Sequence, residues 1–300
     1  MRRFFFTLCV ILLAIGNPAW AWWSGGHGVL TQASVKALPE EIPQFFRSGE
    51  RMIAHCSFDP DISKNRGTPL VRGAEHPEHY LDLELLKGRP LPKDRYSFVQ
   101  LCSELGVAPN KVGFVLYAVA EWTERLAVAF AEHRKWPNNL FIQNKCLVYA
   151  GFIGHYAQDM CQPLHLTIHF DGRVKTDGSR SQRGIHEKVD ALIEYLALEP
   201  GDLARAQQVE PLNDLMPGIL KEFESGFALI DQVYELENQL PSSRDKDWKR
   251  VPSVVDFATE RARESVRFTA ALYLTAWEMS EQIRLEGWLD RAQTDGGTAR

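Results

Sequence analysis

Two histidine–carboxylate pairs with the same internal spacing stand close together in this chain. His155 and Asp159 are four apart in His155-Tyr-Ala-Gln-Asp159-Met-Cys-Gln-Pro-Leu-His165, and His186-Glu-Lys-Val-Asp190 repeats the spacing. On a helix, residues four apart lie on one face. Imidazole and carboxylate together form a borderline ligand set suited to zinc. The two pairs and His165 place five such groups within 36 residues, and His169 also lies between the pairs. That is more than one metal ion needs, and it points to a multi-metal hydrolase. Either pair taken singly could be a buried histidine held by a carboxylate, as ordinary helices contain. The repeat of the pair, with His165 beyond Pro163 where the chain can turn back, weighs against that alternative.

The elements that must position these groups read as almost entirely helical. The chain opens with Met1-Arg2-Arg3, an apolar run from Phe4 to Ile15 and Asn17-Pro-Ala19-Trp20-Ala21. This is the pattern of a cleavable secretory signal over residues 1–21. The run is short for a membrane span, and no later stretch approaches one. Cleavage after Ala21 leaves a chain of 279 residues beginning at Trp22, with the net charge moving from −5 to −7 as Arg2 and Arg3 depart. Such a charge argues against a protein that grips nucleic acid through a broad basic surface. It does not decide the character of a deep pocket, where bound metal reverses the local field.

An export signal implies a secreted or periplasmic location and an oxidising compartment, so disulfides are expected. Cys9 leaves with the signal, while Cys56, Cys102, Cys146 and Cys161 remain and allow three pairings. Cys146 and Cys161 fall about 22 Å apart along one helix and should not pair with each other. No Cys-x-x-Cys supports a thiolate zinc site.

Apolar periodicity predicts helices over 28–38 and 41–55, the second with Pro43 in its first turn. Residues 56–77 read as a long loop rich in Asp, Pro, Asn and Gly. A short helix over 97–105 should end at Gly106. A long apolar pair follows, 111–134 and 141–160, the latter capped by Asn138 or Asn139. The stretch 167–184 reads as a polar loop, then a helix runs from His186 to about Leu198. Helical pattern continues over 217–240 and 254–284, and 294–300 reads as a fraying tail. No break divides the chain, so residues 22–300 are expected to form one all-α, single-domain helical bundle.

At this point the sequence closely resembles the zinc-dependent phospholipase C and S1/P1 nuclease superfamily, mostly helical secreted enzymes with three zinc ions. Their processed amino terminus is itself a ligand, through a tryptophan followed closely by histidine. Trp22-Trp-Ser-Gly-Gly-His27 matches that start, and the Ala-x-Ala site delivers Trp22 as the first residue. The resemblance implies that Trp22, by its free amine and carbonyl, and His27 hold one zinc. It implies His155 on a second, with Asp159 bridging these two, and His165, His186 and Asp190 on the third. Two further ligands to the His155 zinc are implied in the intervening region. His79, in His79-Tyr-Leu-Asp82, is one; Asp61, in Asp59-Pro-Asp61-Ile, is the other, with Asp59 its rival. Asp61 also takes the catalytic role of orienting the attacking water, the nucleophile being a metal-activated hydroxide. His55, His133 and His169 receive no role, and His133 reads as a solvated helix terminus. Nor do Glu222, Glu224 or Trp277 in the back half of the chain.

Substrate class is less sharply marked. Nuclease members commonly carry Gly-Gly-Asn and then Asn-Leu-His-x-x-Trp-Asp after the Gln-Pro-Leu-His core. This chain keeps Gln162-Pro-Leu-His165 but has Asp177-Gly-Ser in the loop and Gly184-Ile-His186-Glu-Lys188-Val-Asp190 without the tryptophan. His186-x-Lys188 is nearer to the phospholipase C arrangement, although those enzymes often end the pair in Glu. The balance tips to a phospholipid headgroup or other small phosphodiester as substrate. The alternatives are an S1/P1-type nuclease acting on single-stranded nucleic acid and a non-catalytic, zinc-stabilised secreted binding protein. Arg173, Lys175, Arg180 and Arg183 crowd the 167–184 loop and could meet phosphate of either substrate. Tyr80, Phe58, Phe170 and Trp136 are aromatic candidates for a pocket.

Overall fold

The computed structural model describes residues 22–289 apart from 243, 244 and 246. The expected signal segment, residues 1–21, and residues 290–300, which include the expected fraying tail, lie outside them. The elements in order are α1 (Ser24–Lys36), α2 (Gln44–Ser48), α3 (Glu50–Cys56), α4 (Asp59–Ser63), α5 (Pro69–Glu75) and a 3-10 turn over His76–His79. Then come α6 (Arg95–Leu105), α7 (Pro109–Val112), α8 (Val115–Lys135) and α9 (Leu140–Cys161). A 3-10 turn over Pro163–Leu166 leads to a small hairpin, β1 (Arg173–Val174) antiparallel to β2 (Arg180–Ser181). The chain closes through α10 (Ile185–Asp190), α11 (Leu192–Tyr195), α12 (Pro200–Ala204), α13 (Leu215–Phe227), α14 (Ile230–Glu235) and α15 (Pro252–Met279). The architecture is the expected all-α bundle.

The central helix is α9. Asn139 opens it by accepting from the backbone N–H groups of Phe141 and Ile142 at 2.9 and 3.2 Å, which satisfies two otherwise orphaned donors. From Ile153 to Cys161 every residue is buried. It packs on α8, α3 and α15, so its apolar surface cannot be confined to one stripe. One apolar cluster gathers around α8, α9 and the second half of α15. A second joins Trp22 and Leu30 to Ile185, Val189 and the first half of α15. None of the described helices is long and apolar enough to cross a membrane.

Several local expectations are corrected. The helix expected over 41–55 divides at Gly49 into α2 and α3, where a Cβ would lie 2.5 Å from Leu147 Cδ2 of α9. The loop expected over 56–77 contains α4 and α5, each with a proline in its first turn, where proline's fixed φ favours helix. The 167–184 loop contains the hairpin, and the helix from His186 is interrupted at Ala191. The 217–240 stretch is divided between α13 and α14. His133 is not solvated: it is buried, with its ring 4.5 Å from that of Phe45.

The expected disulfides are absent. Cys56, Cys102, Cys146 and Cys161 are all free and buried. They sit on α3, α6 and α9 as apolar packing groups, and burial raises every one of their thiol pKa values, Cys146 to about 12. Thiols held protonated are poor nucleophiles for exchange. Unfolding the mature protein without reductant should therefore release four titratable thiols to a thiol reagent; fewer would show a bridge.

Gly151 fixes the crossing of α3 over α9. A Cβ there would lie 2.4 Å from Cys56 Cβ and 2.9 Å from the Ile53 carbonyl oxygen, and backbone cannot yield as a flexible side chain does. Gly151→Ala should lower stability by about 2 kcal/mol through overpacking, measured by urea denaturation.

Candidate metal centre

The face of α9 that carries His155 also carries Asp159, one turn on, and both have no solvent exposure. Around Asp159 the fold collects four imidazoles. Its Oδ2 lies 2.9 Å from His79 Nδ1 and 3.3 Å from His155 Nε2, and its Oδ1 lies 3.4 Å from His27 Nε2 and 3.8 Å from His165 Nδ1. His27 arrives from the first turns of α1 and His79 from the 3-10 turn that ends α5. His165 comes from the turn after Pro163, whose backbone pairs with the His79 segment: Leu81 N–H donates to the His165 carbonyl at 2.9 Å.

Three buried groups result, each with ligand atoms within 4.8 Å of one another: His27, His155 and Asp159; Asp61, His79 and His155; and His165, His186 and Asp190. The first two share His155. The structure places Asp61 in the cluster, with its Oδ1 3.8 Å from His155 Nε2. Asp59, two residues earlier on α4, belongs to none of the three groups, nor do His76 and Asp82. Trp22 is buried beside the cluster: its indole Nε1 donates to the Gln158 carbonyl at 3.1 Å, and Trp23 N–H donates to the Asp190 carbonyl at 3.2 Å.

The anchoring of these imidazoles dictates which nitrogen faces inward. Gln158 Nε2 donates to Thr31 Oγ1 at 2.8 Å, which turns Gln158 Oε1 toward His27 Nδ1 at 2.7 Å. That amide oxygen can only accept, so His27 carries its proton on Nδ1 and offers the Nε2 lone pair to the centre. His155 Nδ1–H donates to the Ser57 carbonyl at 2.8 Å, and His165 Nδ1–H to the His79 carbonyl at 2.8 Å. Their Nε2 atoms are thus also unprotonated. Asp190 Oδ1 accepts from Gln162 Nε2 at 2.7 Å. Glu75 lies 3.5 Å from His79 Nε2 and accepts from the Tyr156 hydroxyl. Such outer partners are what orient metal-binding histidines.

On the inner side, His27 Nε2, Asp159 Oδ1, His165 Nε2 and both nitrogens of His186 are buried without a hydrogen-bond partner. Each orphaned polar atom carries a desolvation cost, and here they converge. A cation liganded by nitrogen and oxygen would satisfy one such atom from each of these residues. The donor set therefore fits a metal.

Electrostatics prepares the same result. Burial raises the Asp159 carboxyl, but the nearby His155 and His165, with His27 also close, outweigh it and hold the pKa well below the ordinary range. Burial likewise opposes Asp61, yet His155, Lys64 and His79 bring it down to about 2; Lys64 Nζ is 2.5 Å from Asp61 Oδ1. Burial lowers His27, His165 and His186, with His155 adding to the first and His165 to the last. His155 alone among these is raised, because Asp159 and Asp61 overcome its burial. Burial also drives Asp190 well above its ordinary value despite the Gln162 hydrogen bond.

Four contributors escaped the sequence reading: Gln158, Gln162, Glu75 and Lys64. Helical spacing could have flagged two of them, since Glu75 precedes His79 by four and Lys64 follows Asp61 by three. Of the aromatic candidates, Phe170 reaches the site, 5.9 Å from the His186 ring, with the Arg180 guanidinium over it at 4.6 Å. Trp136 packs against the main apolar cluster instead.

No family model matches the chain, and no curated protein matches it. Fold and site define an all-α protein with three buried His/Asp groups suited to metal-dependent hydrolysis.

Two measurements follow. In chelator-treated protein, the His186 imidazole should stay neutral well below 6.5, because burial opposes its charge; NMR of the ring carbons reads this, and a normal titration contradicts it. Asp159→Asn should remove at least one equivalent of metal and His186→Ala one, as read by elemental analysis.

Proposed function

We propose that the protein is a secreted or periplasmic zinc-dependent phosphoester hydrolase of the phospholipase C and S1/P1 nuclease type. The observation that carries the reading is that imidazoles from all three His/Asp groups surround Asp159, with inward lone pairs fixed by Gln158, the Ser57 carbonyl and the His79 carbonyl. Trp22, once freed by removal of residues 1–21, and His27 would hold one ion. His155, His79 and Asp61 would hold the second, with Asp159 bridging, and His165, His186 and Asp190 the third. Nitrogen and oxygen donors without thiolate suit zinc.

When bound, zinc lowers the pKa of water and neutralises charge on the phosphoryl oxygens and leaving alkoxide. The chain's own residues supply position. Asp61, kept ionised at a pKa of about 2, can accept a proton-bearing contact from the attacking water and aim it. Lys64 sets a cation beside Asp61, which complements the anionic substrate. The cage around Asp159 excludes bulk water and strengthens each of these interactions. Phe170 and Arg180 wall the His186 side and would bound the substrate. His186-Glu-Lys188, without the tryptophan of the nuclease pattern, favours a phospholipid or small phosphodiester over single-stranded nucleic acid.

The test is hydrolysis of bis(p-nitrophenyl) phosphate, phosphatidylcholine and single-stranded DNA by mature protein before and after chelation. Activity should vanish on chelation and return with zinc, with phosphatidylcholine preferred to DNA. Asp61→Asn should lower kcat by about a hundredfold or more. Absence of turnover on all three in zinc-loaded protein sinks the reading, and preference for DNA moves it to the nuclease branch.

A further inference from the structure

The segment leading from Asp61 to His79 carries a surface that the metal chemistry does not use. Ile62, Leu70 and Val71 are 63%, 89% and 50% exposed, three of the ten large apolar side chains exposed among the described residues. They fall within one ten-residue stretch. Lys64, Arg66 and Arg72 are interleaved with them, and no Asp or Glu occurs between Asp61 and Glu75. Lys64 is paired with Asp61, so the lip of a chain of net charge −5 keeps two positive charges against its overall sign, Arg66 and Arg72.

The projection is ordered by its own hydrogen bonds. Asn65 Oδ1 accepts from Gly67 N–H at 2.7 Å, and Thr68 N–H donates to the Asn65 carbonyl at 3.2 Å. Arg72 N–H then donates to the Thr68 carbonyl at 2.9 Å, while Arg72 Nη1 reaches back to the Lys64 carbonyl at 2.7 Å. That last bond draws the two apolar ends, Ile62 and Leu70-Val71, into one compact lip. A leucine left in water forgoes about 1.5–3 kcal/mol of burial, so an ordered lip that exposes one almost fully is built for contact.

We propose that residues 62–74 form a docking lip for an anionic phospholipid surface. The aliphatic side chains enter the boundary between headgroups and acyl chains, while Arg66 and Arg72 meet lipid phosphate. The composition distinguishes this partner from single-stranded nucleic acid, which calls for aromatic stacking platforms; the lip has none. Its position gives the docking a purpose, and here the inference rests on the phosphoester reading: the lip springs from Asp61 and returns to His79, so a lipid held there has its headgroup beside the metal centre.

The test is co-sedimentation of the mature protein with vesicles of phosphatidylcholine containing phosphatidylglycerol, with vesicles of phosphatidylcholine alone, and binding to a single-stranded oligonucleotide. Binding should favour the anionic vesicles. Leu70→Asp with Val71→Asp, and separately Arg66→Glu, should each cut vesicle partitioning by about tenfold or more, with metal content and thermal unfolding unchanged. Wild-type protein that ignores anionic vesicles, variants that bind them as well as wild type, or oligonucleotide binding lost in Arg66→Glu in place of vesicle binding would each overturn the proposal. Vesicle binding is read without turnover, so the two readings fail separately. A protein that docks but hydrolyses no phosphoester keeps the lip and loses the enzyme; one that hydrolyses bis(p-nitrophenyl) phosphate yet ignores vesicles does the reverse.

Discussion

A carboxylate without solvent exposure cannot stand alone in a protein interior, and the site of this fold is organised around that constraint at Asp159. Its burial is offset by imidazoles from α1, α9 and the turns that carry His79 and His165. Burial pushes two of them, His27 and His165, toward the neutral form, so these can attract the carboxylate but cannot fully neutralise it. The stable completion of such a cluster is a cation with nitrogen and oxygen ligands. The bundle thus holds, at its centre, a set of groups whose costs cancel only together.

Rigidity of the surrounding elements makes the arrangement specific. The close crossing of α3 on α9, possible because position 151 is glycine, brings the Ser57 carbonyl to His155 Nδ1. The pairing of Leu81 with His165, and of His165 Nδ1 with the His79 carbonyl, locks two segments distant in sequence. Gln158 and Gln162 extend the control to His27 and Asp190. Each anchor acts on the outer nitrogen or oxygen of a ligand and leaves its inner atom facing the centre, which is how a preorganised site is built.

The helical plan and the heart of the site were legible in the sequence because both obey the same periodicity. His155 with Asp159 and His186 with Asp190 are four apart, and helix geometry brings each pair to one face. What joins the pairs was not legible from spacing: the approach of His79 and Asp61 depends on α4 and α5, which Asp, Pro, Asn and Gly disguised as a loop. Whether Asp59 or Asp61 turns inward is decided by the phase of a five-residue helix, which no apolar pattern encodes. Gln158 and Gln162 each reach a candidate ligand through a single side-chain hydrogen bond, a role invisible without neighbours. The cysteines misled because compartment was allowed to stand for pairing; all four thiols are buried as free packing groups. His133 misled in a similar way, as its charged neighbours Glu132 and Arg134 concealed its packing against Phe45.

The most direct test of the central claim is anomalous diffraction at the zinc edge from crystals of mature protein. The account predicts three peaks: one beside His27 and Asp159, one among Asp61, His79 and His155, and one among His165, His186 and Asp190. The first two should lie close together on either side of Asp159. A single peak, or none within reach of Asp159, would contradict it and leave the buried histidines as structural groups.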